Sequence, residues 1–571
     1  MRKNKIPYGI SNFEELKGND YYFVDKTRYI FELEKYKAPV FLRPRRFGKT
    51  LWCSILECYY DINKKNDFDK LFGDTFIGKN PTDERNQCLI LRLNFSKVSI
   101  TSDLLKIEKS FNSECRNIVR FFLAYYKDYF ANFTLTTENI SDKLSQILSF
   151  IKENNLPKLY IIIDEYDNFS NQLILSQQTG LYENLTGNDS FFKTFFKVIK
   201  AGVEDLSIRR VYITGVLPIT MDDLTSGFNI AKFITLNEQF LSMLGFTQNE
   251  VEEYLEFIFE DNNFYTSNLE TIKVLLKNYY YGYKFSVTAE ELYNSTIVSN
   301  FLQDFVMGNG KIPLEFIDPN LKTDVSWIRR LTLREENAKE MLEKLIFDGE
   351  LSYDQNMISS SFNMNQFFEK NFYPVSLFYL GMLTFRDDYT MIFPNQTMTK
   401  IFADYFNIIE KIEVSSGYTD YFRQFIKDLD LEKLFAGYWE TYVKQIPAQC
   451  FDKANENFFR TTFYELCTRY LSRNFILNVE VNYPSGRSDW ELLGKYHTEY
   501  KNLKYIVEFK HFSKVKAQKL KIQELQKPFE EDVIQVQNYA ADIIRDFPEY
   551  DISKFVIYTI SAETFRFFKV K

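Results

Sequence analysis

Two groups of residues in this chain have the types and spacing to do chemistry. In the first, Gly48-Lys49-Thr50 closes the stretch FLRPRRFGKT at 41–50. A glycine lets backbone N–H groups turn toward a phosphate, a lysine reaches the β- and γ-phosphates, and a threonine hydroxyl holds magnesium. The run LYIIIDEYD at 159–167 ends its apolar part at Asp164-Glu165. There Asp164 would support magnesium and Glu165 would orient or deprotonate an attacking water. A third run, RRVYITG at 209–215, brings Thr214 to a strand end, where its side chain could sense the γ-phosphate. A lone GKT carries little weight, and each polar strand end by itself reads as a cap. Three such ends at the ligand-binding edge of an α/β sheet point to a nucleotide site. The loop departs from the usual pattern at its start, where Arg43 stands in place of the first glycine and Arg45 and Arg46 follow. Arg45 and Arg46 lie within a few residues of the phosphates and are candidates to contact them. Arg209 and Arg210 precede the third run, so they belong at the far end from Thr214.

The second group lies near the C-terminus. Asp489 follows the turn GRS in YPSGRSDWELLG, and Glu508-Phe509-Lys510 lies in YIVEFKHF. On a strand, side chains two apart share a face, so Glu508 and Lys510 project together. Two nearby carboxylates can bind a hard divalent cation, and an ammonium beside them can position a water or offset negative charge in a phosphoryl transition state. Glu456, at the start of a predicted helix, could complete the metal site. Gln535 and Tyr539 are four apart, on one face of another helix. Each of these is weak alone, since E-x-K is common as a surface ion pair.

The elements that must position these groups are legible in outline. Residues 1–235 alternate strand-like runs (PVFLR, CLILRLNF, KLYIIID, RRVYITG) with amphipathic stretches, the pattern of a parallel α/β sheet. Residues 236–440 read as mostly helical, with Thr247 and Glu250 spaced as a capping box. Residues 441–571 return to a mixed pattern, with helices near 454–472 and 529–546 and strands near 475–482, 488–493 and 504–510.

Bulk properties narrow the chemistry further. At 571 residues the chain exceeds one core, and its 45% hydrophobic and 26% charged composition fits a folded soluble protein. Aromatics are spread throughout and read as composition bias rather than base-stacking capacity. No signal peptide is visible, and the most apolar window, YPVSLFYLGMLTF at 373–385, is too short to span a bilayer. Six cysteines without a CxxC pair fit a reducing, cytoplasmic setting, or a nuclear one in a eukaryote. With only two histidines, His497 and His511, a metal here would be held by carboxylates, which points to magnesium or manganese. Residues 441–571 hold 20 Lys+Arg and 17 Asp+Glu, a balance of +3; with −8 for the whole chain, residues 1–440 carry −11. Seven lysines against two glutamates fall in 504–527, either a solvated face or a phosphate-backbone contact.

The segments IPYGISNFEEL, YYFVDKT, RPRRFGKT, IIIDEYD and ITGV together resemble the AAA-ATPase-like family whose phosphate loop reads RPRRFGKT. The resemblance covers most of 6–300, including LGFTQNEV at 244–251 and YYYGYKFS at 279–286. It implies that Arg43 is part of the family's own loop and that ATP and magnesium bind. The ordered set Glu456, Asp489, Glu508-x-Lys510 and Gln535 resembles the PD-(D/E)XK nuclease superfamily, in the branch fused behind this ATPase-like domain. There a GRSD-type turn supplies the metal aspartate; one departure is Ser488, where the superfamily's name motif has proline. The implied architecture is α/β multidomain: a P-loop NTPase parallel-sheet domain (1–235), a helical linking region (236–440) and a restriction-endonuclease-like α/β domain (441–571). Two functions are open. One is an ATP-gated, magnesium- or manganese-dependent nuclease acting on nucleic acid, DNA before RNA, for a mobile element or for defence. The other is a regulatory ATPase whose C-terminal domain only binds nucleic acid or a protein partner. Neither requires a membrane, and both are compatible with a homo-oligomer.

Overall fold

The computed structural model describes residues 5–99, 101, 103–168, 190–218, 228–319, 321, 336–359, 364–367, 369–415, 417–447, 450 and 453–571. The chain divides into two compact units that interleave along the sequence. One is Met1–Phe257, Tyr283–Asn300 and Ser352–Tyr389; the other is Ile258–Gly282, Phe301–Leu351 and Thr390–Lys571. The region 236–440 is largely helical among the described residues, and its segments are shared between the two units instead of forming a third.

In the first unit the strands are β1 (Pro39–Leu42), β2 (Leu89–Asn94), β3 (Leu159–Asp164), β4 (Ile208–Gly215) and β5 (Lys232–Phe233). They form a parallel sheet in the order β2-β3-β4-β1-β5. Strands β1 and β3 are buried at every position, as continuous apolar runs covered on both faces must be. Helix α1 (Lys49–Tyr60) packs on β2 and β3, α2 (Leu104–Tyr125) on β2, and α4 (Phe191–Glu204) on β4; α3 (Ile140–Glu153) backs α4. Because every strand runs the same way, the ends of β1, β3 and β4 reach one edge of the sheet together. Strand β5, two residues long, offers no periodicity to read from sequence. The capping box at Thr247 is formed in both directions. Glu250 Oε2 accepts the Thr247 N–H at 2.8 Å and Thr247 Oγ1 accepts the Glu250 N–H at 3.3 Å, opening α5 (Gln248–Asn262).

In the second unit α6 (Glu456–Leu471) precedes β6 (Phe475–Tyr483), β7 (Gly486–Gly494) and β8 (Leu503–Phe512). After α7 (Glu530–Asp546) come β9 (Asp551–Ile560) and β10 (Thr564–Val570). The sheet order is β10-β9-β8-β7-β6, antiparallel except for β8 with β9, whose crossover is α7. The first five of these elements match the sequence expectation. The last two strands are missing from it, although FVIYTI carries the same apolar signal. Ile506, Tyr539, Ala540 and Ile543 form one core between β8 and α7. On the other side Phe463 of α6 packs on Trp490 of β7 at 5.2 Å between ring centroids.

Candidate active sites

The phosphate loop is held by parts of the chain far away in sequence. Arg46 has φ +71° and Gly48 φ +88°, a left-handed pair that turns the loop into α1. The Arg45 and Arg46 carbonyls accept from Asn294 Nδ2 at 3.3 Å and from the Thr296 N–H at 3.1 Å. The buried Phe47 ring meets Tyr283 and Phe285 edge-on at 5.2 and 5.6 Å. A Cβ on Gly245 would stand 3.1 Å from Phe47, and one on Gly381 would stand 2.6 Å from Pro44. The segments LGFTQNEV, YYYGYKFS and YPVSLFYLGMLTF therefore share one task, which is to seat the loop.

Arg43 is not aimed at a phosphate. It is 1% exposed and donates to the carbonyls of Leu42 (2.9 Å), Thr235 (3.0 Å), Leu241 (2.9 Å) and Phe240 (3.4 Å). Its guanidinium lies 4.2 Å from the Phe41 ring and 3.8 Å from the Phe285 ring. Burial pushes its pKa down to about 9. The arginine in place of glycine is thus a buried bracket joining the ends of β1 and β5 to the segment after them. Arg45 is exposed and Arg46 half-buried, and the Arg45 charge acts on both Lys49 and Glu165. Arg209 and Arg210 are both paired with Glu84, at 2.9 and 2.7 Å, at the start of β4.

Lys49 is buried and donates to the Arg43 and Pro44 carbonyls, both at 2.8 Å. Burial lowers its pKa to about 8, against the pull of Asp167, Asp164 and Glu165. A phosphate would take over the contacts that the loop now makes to this ammonium. Asp164 is fully buried, and among the described residues neither carboxylate oxygen has a hydrogen-bond partner and the nearest paired cation is Arg92, at 3.7 Å. A buried, unbonded carboxylate is costly unless a cation meets it, so the chemistry of Asp164 fits a divalent cation; Thr50 lies in the first turn of α1. Arg92 ties the same corner, donating to the Thr50 carbonyl at 3.2 Å and pairing with Glu57 at 3.0 Å. Glu165, half-buried at φ +52°, has its pKa raised by burial and then by Asp164. The Thr214 hydroxyl is buried and donates to the Phe41 carbonyl at 2.7 Å, so contact with a γ-phosphate requires it to leave that bond.

Sequence reasoning missed Asp167. Its buried carboxylate accepts the N–H groups of Val216 (3.0 Å) and Leu217 (2.7 Å), tying the chain after β4 to the end of β3. Gly215 is required beside it, because a Cβ there would fall 2.3 Å from Asp167 Oδ1. A second acid three residues after Asp164 was the available signal.

In the second unit the site forms where two strands part. The β7–β8 ladder ends at Trp490 with Val507. Beyond it the Asp489 carboxylate takes the place of a ladder acceptor, receiving the Phe509 N–H on Oδ2 at 2.8 Å. Its Oδ1 accepts from Arg460 at 2.8 Å. Glu508 is 1% exposed, accepts from Lys510 Nζ at 2.6 Å on Oε1, and leaves Oε2 buried and unbonded. Burial and then the Asp489 charge push the Glu508 and Glu456 carboxyls well above the usual carboxylate range. Burial works against the Lys510 ammonium, but Glu508, with Glu456 and Asp489, outweighs it and raises its pKa. Gln535 donates to Tyr539 Oη at 2.6 Å, and Tyr539 donates to the Arg487 carbonyl at 2.8 Å. That chain braces the turn before Asp489, where Gly486 has φ +144° and a Cβ would press on the Tyr539 ring at 3.2 Å. Ser488, in the motif's proline position, donates to the buried Glu491 at 2.6 Å.

The unbonded Glu508 oxygen beside Asp489 fits a divalent cation. Among the described residues, however, no group of three or more His, Cys, Asp or Glu side chains is close enough to hold one. Glu456 shares the electrostatic field of Asp489 and Glu508 without joining them as a ready third ligand. The lysines after β8 are exposed: Lys514 pairs with Glu563 at 2.7 Å, while Ala517 and Ile522 anchor the segment in the core.

These arrangements define two classes of domain: a parallel-sheet unit with a phosphate loop, and a mixed sheet with an E-x-K strand. Residues 7–225 match the family described as a predicted AAA-ATPase, and residues 454–569 match the PD-(D/E)XK nuclease superfamily. Over 260 residues the chain is 23% identical to an uncharacterized protein in the vnfD 5′ region of Azotobacter chroococcum mcd 1, covering 44% of this chain and 45% of that protein. The match thus spans less than half of that relative. No helix among the described residues is long and apolar enough to cross a membrane.

Proposed function

We propose that this protein hydrolyses ATP in its first unit and cleaves DNA in its second, under the control of the nucleotide. The observation that carries the reading is the fork at Asp489, where Glu508 keeps a buried, unbonded oxygen and Lys510 stands against its other oxygen. A bound magnesium or manganese ion would neutralise charge on the scissile phosphate. The chain's own residues do the rest. Asp489 and Glu508 would hold the ion, Lys510 would face the developing negative charge, and Gln535 with Tyr539 keeps the Asp489 turn in place. The exposed lysines after β8 hold the DNA backbone.

In the first unit Lys49 would bind the phosphates, Thr50 and Asp164 would hold a magnesium ion, and Glu165 would activate water. Arg45 and Arg46 are positioned to offset charge on the phosphates. Calorimetry should show ATP affinity lost in Lys49→Ala, whereas Glu165→Gln keeps binding and loses turnover. Equal ATP binding by wild type and Lys49→Ala would remove the assignment. If neither Arg45→Ala nor Arg46→Ala lowers turnover, the two loop arginines are structural, as Arg43 is.

A second reading, a regulatory ATPase whose C-terminal unit only binds, is favoured by one observation: Asp489 is engaged by Arg460 instead of standing open. Incubating plasmid and linear DNA with magnesium or manganese, with and without ATP, separates the two. No cleavage under any condition selects the second reading.

A further inference from the structure

Arg460 was no part of the sequence reading, yet it makes the shortest charged contact to Asp489. It lies on α6 four residues after Glu456, so both project from one helix face. Arg460 is 6% exposed. Its Nη1 donates to Asp489 Oδ1 at 2.8 Å, and its Nη2 donates to Glu480 Oε1 at 2.8 Å and to Asn457 Oδ1 at 2.5 Å. Glu480 stands across the β6–β7 pair from Asp489, with φ +55°, and also binds Arg487 at 3.0 Å. Asn457 is itself pinned, donating to the Ile346 carbonyl at 2.9 Å.

This geometry conflicts with an open metal site. Both Asp489 oxygens already accept hydrogen bonds, one from a buried cation and one from the Phe509 N–H. A divalent ion on Asp489 must either displace Arg460 or sit beside its full positive charge. In a buried setting that repulsion is screened weakly.

We propose that Arg460 is a positioning residue that occupies Asp489 in the metal-free protein and competes with the divalent ion for it. The inference rests on the nuclease reading of this site. It makes metal loading weak, and dependent on the swing of one guanidinium from Asp489 toward Glu480.

The test is manganese binding to the full-length protein, followed by calorimetry and by the manganese spin-resonance signal, with no DNA or ATP present. Arg460→Gln, which keeps a donor and loses the charge, should bind manganese at least ~10-fold more tightly than wild type. Arg460→Lys, which keeps the charge, should stay near wild type. Glu480→Gln, which leaves Asp489 as the one carboxylate that Arg460 pairs with directly, should bind more weakly than wild type. The inference is overturned if folded Arg460→Gln binds manganese equally or less tightly. Should Arg460→Gln fail to fold, the Glu480→Gln arm decides, and affinity there at or above the wild-type level overturns it. Failure of the nuclease reading gives a different pattern: manganese binding unchanged in both Asp489→Asn and Glu508→Gln, or absent from wild type and every variant.

Discussion

Asp489→Ala, Glu508→Ala and Lys510→Ala are each expected to lower DNA cleavage by at least ~10²-fold while leaving DNA binding largely intact. Phosphodiester cleavage needs positive charge where oxygens become more negative. At the β7–β8 fork that charge depends on two carboxylates to hold an ion and on the Lys510 ammonium 2.6 Å from Glu508. Removing Asp489 also frees the Phe509 N–H and takes from Arg460 one of the two carboxylates it binds, leaving Glu480, so a melting curve should accompany the cleavage assay. Asp489→Asn keeps an acceptor and separates lost chemistry from lost structure. Glu456→Ala should be milder, because Glu456 joins the site through its field. Gln535→Ala should be milder still, since it acts on Asp489 through Tyr539 and the Arg487 carbonyl. DNA binding should weaken steeply with salt, because exposed lysines (Lys514, Lys516, Lys519 and Lys521) would supply the phosphate contacts. Robust cleavage that survives Asp489→Ala would mean that the active site lies elsewhere.

Arg43→Gly should destabilise the first unit by about 3–5 kcal/mol, although it restores the residue that phosphate loops usually carry at this position. The substitution strips the donors from four carbonyls, opens a cavity against Phe41 and Phe285, and frees the end of β1 from the segment after β5. Arg43→Lys should fall between the two, because one ammonium cannot match the spread of a guanidinium over carbonyls on separate segments. The measurement is the melting transition of the first unit, with and without ATP. A folded Arg43→Gly protein with wild-type melting and tighter ATP binding would show that the arginine is a defect of the loop instead of its bracket.

Much of the site chemistry was legible because it is local. The strand ends at Asp164 and Thr214, the strand-to-helix turn at Gly48, and the period-two spacing of Glu508 and Lys510 follow from a few consecutive residues each. The capping box at Thr247 and Glu250 is of the same kind. The sequence by itself therefore determined which residue types stand at the strand ends, and through them the two families of domain.

Tertiary structure decided what those residues touch. What Arg43 does in place of the first glycine rests on carbonyls about 200 positions away (Thr235, Phe240 and Leu241). Gly245 and Gly381 are close to the phosphate loop only in the folded chain, where a Cβ would meet Phe47 or Pro44. Arg460, which no motif singled out, holds the aspartate that a metal would need. No spacing rule predicts these contacts. Each joins segments that meet only after the chain folds back, and burial then turns an ordinary side chain into a costly charge that must find a partner.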